Sequence, residues 1–283
     1  MHSSCSHYDS YASFAASAVK TQAKAESDRD KALRNARKQA RQVKELRAGR
    51  PDQRQMRDYL LADAFERRAP WISGVKIDGQ VYGRSTRHND PRLRQFFDAF
   101  PESLTGRVLE SGSLEGALTL ELAKRAREVV GLEARPESVG KAQFLKRLFR
   151  AKNVSFSVAN LEEEDLSRHG RFDVIFCCGL LYHLPSPRSF VEQMACASEN
   201  LYLDTHFSPD DWPLTERDGL VGWVRQEGGW EQPQSGVSED AFWPTLEELR
   251  RLLSESGYTS IQTLSEHPNN RNGPRVRLAA NIP

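Results

Sequence analysis

Two hydrophobic periods alternate along the chain from residue 107 onward. Short apolar runs ("RVLES", "EVVGLEA", "VSFSVAN", "FDVIFCCG", "NLYLDTHF") are separated by segments whose apolar residues recur every three or four positions ("GALTLELAKRA", "PESVGKAQFLKRLF", "PRSFVEQMACAS"). Continuous apolar runs read as strands buried on both faces, and the segments between them as amphipathic helices packed on those strands. The C-terminal part adds a helix, "LEELRRLLSESG", and two strands, "TSIQTLS" and "RVRLAA". The pattern predicts an α/β fold: a Rossmann-like, seven-stranded, mostly parallel sheet with helices on both faces. In such sheets ligands bind at the carboxyl ends of the strands.

Three stretches depart from this alternation. Residues 1–58 read as a basic helical arm, rich in Lys, Arg and Ala and ended by Gly49 and Pro51. Residues 59–106 read as a small cap leading into the core: a helix, a hairpin at Asp78-Gly79 and a second helix ending near Phe100. Residues 107–283 form the core domain, interrupted at 208–243 by a long irregular insertion holding Trp212, Trp223, Trp230 and Trp243. A connection of that length is usually functional, and this one is expected to cover the substrate side of the site.

Charge excludes some partners. Lys+Arg 40 against Asp+Glu 39 leaves a net charge of +1, so the molecule as a whole has no electrostatic footprint for nucleic acid or membrane, and any RNA contact would be local to the basic arm. Cys5, Cys177, Cys178 and Cys196 lack metal-ligand spacing, so neither a disulfide nor a metal site is expected. No apolar run approaches membrane-spanning length, and a cytoplasmic protein is the expectation.

The turn after the first core strand, "VLESGSLEG", carries the chemistry. Gly112 and Gly116 let a ligand lie against the backbone where strand becomes helix. Leu114 and Ala117 occupy the other glycine positions of a dinucleotide fingerprint, which argues against a pyrophosphate, and no Lys-Ser or Lys-Thr follows to make a P-loop. Glu133, ending the second strand, is suited to accept from both hydroxyls of a ribose, and Glu110 beneath the turn suits a ligand amino group. An adenosine bearing an amino acid, S-adenosylmethionine, meets both requirements.

"VLESGSLEG", "VVGLEA", "VSFSVAN", "FDVIFCCGLLYHLPSP" and "FWPTLEELRRLLSESGY" are similar in order and spacing to the class I S-adenosylmethionine-dependent methyltransferases over roughly residues 65–280. Within them, "GLLYHLPSP", the hairpin and "AFWPTLEELRRLL" resemble the subgroup that includes the tRNA wobble-uridine carboxymethyltransferase and unassigned relatives. The resemblance implies that Glu110, Ser111, Gly112, Ser113 and Gly116 shape the methionine pocket and that Glu133 holds the ribose. It implies too that Asn160 and Leu161 meet the adenine, and that Cys178 and Gly179 lie beside the sulfonium. Leu114 and Asn160 depart from the family's usual residues. A carboxylated cofactor would need a cation near the methyl pocket, for which Arg84 and Arg225 are candidates.

A methyltransferase needs little beyond alignment and a base, since the cofactor carries the reactive group. His183, after the fourth core strand, and His206, at the end of the fifth, are the candidate bases; each has a structural alternative, His183 as a turn residue and His206 as a partner of Asp204. Trp223, Trp230 and Tyr182 are the candidate substrate contacts. The reading favours methyl transfer to an oxygen, less readily a nitrogen, of a small metabolite or glycan. RNA modification through the arm and a noncatalytic nucleoside-binding or assembly module, with homo-oligomerisation in either case, stay open.

Overall fold

The computed structural model describes Arg34, Arg37 and residues 53–84, 87, 89–102 and 106–283. Arg34 and Arg37 are helical and exposed. The remainder of the basic arm as far as residue 52, with Cys5, Gly49 and Pro51, lies outside the described residues.

The described residues of Ala16–Asn89 belong to one unit. Helix α1 (Gln53–Glu66) buries Tyr59, Ala62 and Phe65, which the helical period brings to one face. The Phe65 ring meets Trp71 at 4.9 Å and Tyr82 at 5.1 Å, and Trp71 Nε1 donates to the Phe65 carbonyl at 2.7 Å. Tyr82 belongs to an antiparallel hairpin of β1 (Gly74–Ile77) and β2 (Gln80–Gly83). Its turn is Asp78-Gly79, with φ of 48° and 87°, the left-handed pair that a two-residue hairpin loop requires.

From Asp90 onward the chain forms a second unit. Helix α2 (Pro91–Ala99) starts at Asp90, whose carboxylate accepts from the Arg92 N–H. Then come β3 (Arg107–Ser111), α3 (Ala117–Leu122), β4 (Glu128–Glu133), α4 (Pro136–Phe149), β5 (Val154–Val158), β6 (Val174–Cys178), α5 (Pro187–Ala197) and β7 (Asn200–His206). The insertion contributes β8 (Thr215–Arg217), β9 (Leu220–Gln226) and β10 (Asp240–Pro244), and α6 (Leu246–Glu255), β11 (Ser260–His267) and β12 (Arg275–Asn281) close the fold.

The main sheet has seven strands in the order β11-β12-β7-β6-β3-β4-β5. Strands β3 to β7 are parallel, and β12 runs antiparallel to both β7 and β11. As a parallel strand covered on both faces should be, β6 is buried throughout. On one face Phe96 of α2 packs edge-on against Phe176 and Tyr202, at 5.0 and 5.7 Å. On the other, Ile175 and Leu203 join Met194 of α5 and Leu249 and Leu252 of α6 in one apolar core. The chain leaves β3 toward β4 and β5 on one side, and β6 and β7 lie on the other. That reversal opens a crevice at the carboxyl edge between β3 and β6.

The 208–243 stretch corrects the expectation of an irregular loop: β10-β9-β8 form a three-stranded antiparallel sheet. Asp218 and Gly219, with φ of 53° and 68°, make the β8–β9 turn, repeating the Asp-Gly signal of residue 78. Trp223 and Trp243 pair across β9 and β10 with ring centroids 5.4 Å apart, and Trp212 completes the cluster.

Candidate active site

On the β3–β5 half of the crevice, backbone conformation does most of the shaping. Gly112, Leu114 and Gly116 have φ of 73°, 49° and 77°, so the turn after β3 coils through three left-handed positions, one of them carrying a leucine. A Cβ on Gly116 would lie 2.6 Å from Phe156 and 2.9 Å from Ala142, so glycine is demanded there by helix-to-strand packing. The Gly112 and Ser113 N–H groups both donate to the Leu132 carbonyl at 2.9 Å, which ties the turn to the tip of β4. Ser111 pairs in register with Cys177, and the buried Ser113 hydroxyl forms no hydrogen bond among the described residues.

Two buried carboxyl groups lie under this turn. Glu110 is 2% exposed and accepts from the Thr119 hydroxyl; burial pushes its carboxyl up to about 8, against the pull of Thr119 and Arg92. Glu133 is held by the backbone: Oε2 accepts from Leu114 N–H at 3.0 Å and Oε1 from Arg135 N–H at 2.9 Å. Each oxygen keeps a further acceptor site, so the carboxylate is oriented and still able to bind hydroxyls. Asn160 Oδ1 accepts from Glu162 N–H at 3.2 Å, an Asx turn after β5, and Leu161 is buried beside it.

The β6–β7 half is built from side chains. After β6 come Gly179, at φ 79°, and a single 3-10 turn, Leu181–His183. His183 Nδ1 lies 2.6 Å from Glu227 Oε2, and that oxygen also accepts from Gly236 N–H at 2.9 Å. Burial opposes ionisation of Glu227 more than any single partner favours it, but the bond to and charge of His183, the Gly236 N–H and Arg225 together hold the carboxyl low. A carboxylate on Nδ1 fixes the ring and leaves Nε2 as the proton acceptor, the arrangement of an oriented general base.

His206 does not meet the expectation of a base. Its Nδ1 is spent on the Gly273 and Pro274 carbonyls at 3.1 and 2.8 Å, and Arg275 Nη1 faces Nε2 at 3.3 Å. Burial and Arg275 push the imidazole down to about 3, and the ring stacks on Trp243 at 4.5 Å. Asp204 is fully buried and engages not His206 but Arg275, at 2.7 and 2.6 Å, with Arg277 at 3.3 Å and Arg92 at 3.6 Å. Despite its burial these cations hold the Asp204 carboxyl down at about 2. Cys178 donates to the same carboxylate at 3.2 Å; burial raises its thiol well above the ordinary range, and it is structural.

Comparison with known proteins decides the family. The family described as "Methyltransferase domain" matches residues 57–263. The chain is 31% identical to the N-terminal domain of EvdMO1 with SAH bound, at a TM-score of 0.71, with 80% of this chain and 97% of that one covered. The same domain in the presence of SAH and D-fucose gives a TM-score of 0.70 at 31% identity, over 80% and 97% of the two chains. This chain belongs to the class I S-adenosylmethionine-dependent methyltransferases. Among curated relatives, the ubiquinone biosynthesis O-methyltransferase of Xanthomonas axonopodis pv. citri (strain 306) is 29% identical over 109 residues, covering 38% of this chain and 44% of that protein. The chain thus spans less than half the length of that relative.

In this methyltransferase the insertion is stapled across the carboxyl edge by three loops. Arg135, following β4, donates to the carbonyls of Gly229, Trp230, Gln232, Ser235 and Gly236 at 2.9 to 3.2 Å. Glu162, following β5, accepts from Ser238 N–H at 3.1 Å and its hydroxyl at 2.6 Å. His183, following β6, takes Glu227. Trp230 is 48% exposed with Arg135 5.5 Å over its ring, whereas Trp223, expected on the substrate side, is buried in the tryptophan cluster. Sequence reasoning passed over Glu227, Arg92, Arg135 and Arg275 because none belongs to a local motif. Among the described residues no group of His, Cys, Asp or Glu is arranged for a metal, and no helix is long and apolar enough to cross a membrane.

Proposed function

We propose that this methyltransferase methylates a hydroxyl oxygen of a small metabolite or sugar, with His183 as the general base. The observation that carries the reading is the His183–Glu227 pair at 2.6 Å in the loop after β6, on the acceptor half of the crevice. Glu133 would hold the ribose hydroxyls; Glu110 and the turn from Gly112 to Gly116 would hold the amino-acid end; Asn160 and Leu161 would border the adenine. Bound there, S-adenosylmethionine supplies an electrophilic methyl group. A neutral hydroxyl becomes a competent nucleophile when His183 Nε2 takes its proton, and Glu227 stabilises the imidazolium that results. The O-methyltransferase name of the curated relative and the D-fucose of the EvdMO1 structure support an oxygen acceptor.

The test is acceptor-dependent release of S-adenosylhomocysteine from a panel of hydroxylated and aminated compounds. Hydroxyl acceptors are expected to turn over, and His183→Ala to lower kcat by about 10²- to 10⁴-fold with cofactor affinity kept. Turnover confined to amines, or undiminished in His183→Ala, would overturn the reading. The finer likeness, to wobble-uridine carboxymethyltransferases, is a second proposal. Its expected cation Arg225 sits 5.2 Å over the Trp243 ring and 4.0 Å from Glu227, while Arg84 belongs to the other unit.

A further inference from the structure

Arg135 is buried, and its guanidinium is wrapped by one short stretch of main chain: the carbonyls of Gly229, Trp230, Gln232, Ser235 and Gly236 all accept from it. Left to itself that stretch has little to hold it. Residues 228–236 include Gly228, Gly229 and Gly236 and form a single 3-10 turn, Gly229–Glu231, with one further bond from Ser235 N–H to the Gln232 carbonyl. Fixing so glycine-rich a segment costs conformational entropy, and a rigid guanidinium fork bonded to five carbonyls offsets it. Burial lowers the pKa of Arg135 against the pull of Glu133 and Glu227, so its charge is within electrostatic reach of both carboxylates.

Hydrogen bonds run from this residue in two directions. In one, the Arg135 N–H donates to Glu133 Oε1 at 2.9 Å. In the other, Arg135 Nη2 donates to the Gly236 carbonyl at 3.0 Å, Gly236 N–H donates to Glu227 Oε2 at 2.9 Å, and the same oxygen lies 2.6 Å from His183 Nδ1. Gly236 also lies against His183 itself, because a Cβ built on it would come within 2.5 Å of the His183 carbonyl oxygen and 3.3 Å of the His183 Cβ. Moving Gly236 therefore disturbs the histidine and its carboxylate together. Five residues, Glu133, Arg135, Gly236, Glu227 and His183, form one connected path from the tip of β4 to the loop after β6.

We infer that Arg135 is a positioning residue for the reaction: by holding residues 229–236 it sets Glu227 against His183, and through Glu133 it ties that setting to occupancy of the ribose site. The inference rests on the reading of His183 as the base and Glu133 as the ribose ligand. Arg135 acts through Gly236 and Glu227. Lysine in its place keeps the charge but has no fork to gather five carbonyls.

The test compares Arg135→Lys with Glu162→Gln, which weakens the neighbouring staple at Ser238 and leaves Arg135 in place. The first readout is the pair of His183 ring-nitrogen resonances in the ligand-free protein at one pH, assigned by their loss in His183→Ala, with Glu227→Gln marking where they fall once the carboxylate is gone. Arg135→Lys is expected to move them toward the Glu227→Gln positions, and Glu162→Gln to leave them at the wild-type ones. Unmoved resonances in Arg135→Lys overturn the inference and leave Arg135 a staple. So does an equal displacement in Glu162→Gln, since any loosening of the insertion would then suffice. The second readout is S-adenosylhomocysteine affinity by calorimetry. Glu227→Gln should bind about fivefold or more weakly than wild type, whereas adding the same change to Arg135→Lys should alter affinity less than about twofold. Wild-type affinity in Glu227→Gln overturns the coupling without recourse to an arginine variant, which covers the case of Arg135→Lys failing to fold. No binding by wild type would strike the cofactor reading instead, and the ring resonances, which need neither cofactor nor turnover, would still decide the role of Arg135.

Discussion

The two halves of the crevice are made in different ways. On the β3–β5 side, the proposed ligand contacts come from a turn whose form depends on left-handed residues at 112, 114 and 116 and from carboxyl groups one strand apart. On the β6–β7 side they come from side chains that meet across long stretches of chain: His183 with Glu227, 44 residues on, and Asp204 with Arg275, 71 residues on. The cofactor half is a property of local backbone, and the acceptor half a property of the completed fold. A substitution on the first side should act on affinity for a constant ligand, and one on the second on stability, chemistry and choice of acceptor.

The largest effect should come from Asp204→Asn. Removing the carboxylate leaves Arg92, Arg275 and Arg277 against Asp90 alone in a buried cluster, and breaking such an array by one partner costs about 3–5 kcal/mol. Denaturant unfolding of the two proteins measures it. The pH dependence has a definite sign: the folded value of about 2 lies below the ordinary 3.8, so this stability is present above 3.8 and is lost as pH falls through about 2. A variant as stable as wild type would show that the acceptor half is not held by this cluster.

Glu110 should show the opposite slope. Burial raises its carboxyl from 4.5 to about 8, so the folded protein binds more protons than the unfolded chain between those values. Stability of the ligand-free protein should fall as pH rises across that window, by up to about 1.4 kcal/mol per pH unit, and level off above it. Thermal unfolding of Glu110→Gln should lack this fall. Glu133→Gln tests the same half through its ligand: about a 10- to 100-fold loss of S-adenosylhomocysteine affinity by calorimetry, with kcat at saturating cofactor within about threefold of wild type. A loss confined to kcat would mean that Glu133 does not hold the ribose and would blur the division between the halves.

This division also explains what the sequence revealed. Seven strands, their order of appearance and the β3 turn were legible because apolar runs, glycines and terminal acids signal locally. Glu227 sits in a glycine-rich stretch with no period, and nothing near it announces His183. Arg135 looks like any surface arginine after a strand, yet it gathers five carbonyls of the insertion. The β8–β9 hairpin is a different kind of miss: Asp218-Gly219 carried the signal read at Asp78-Gly79, but the surrounding tryptophans drew the reading toward a binding loop. His206 was misread because alternation along β7 gives its face and not its partners. Two carbonyls and Arg275 occupy both of its nitrogens.

The smallest effect separates the two tryptophans that sequence analysis grouped together. Trp230 is 48% exposed, and Arg135 grips its carbonyl, so Trp230→Ala leaves the staple between β4 and the insertion intact. Loss of the Arg135 contact over its ring should cost about 0.5–1 kcal/mol or less in stability. If the ring borders the acceptor, KM for that acceptor should rise about threefold to tenfold with kcat unchanged, as removal of a binding contact equal in ground and transition states requires. Trp223→Ala should instead lower stability by about 3–5 kcal/mol, because it empties the middle of the Trp212–Trp243 cluster. Steady-state kinetics and denaturant unfolding on the pair resolve the two roles. Equal losses of stability would mean that Trp230 is part of the insertion's core and not a contact for the acceptor.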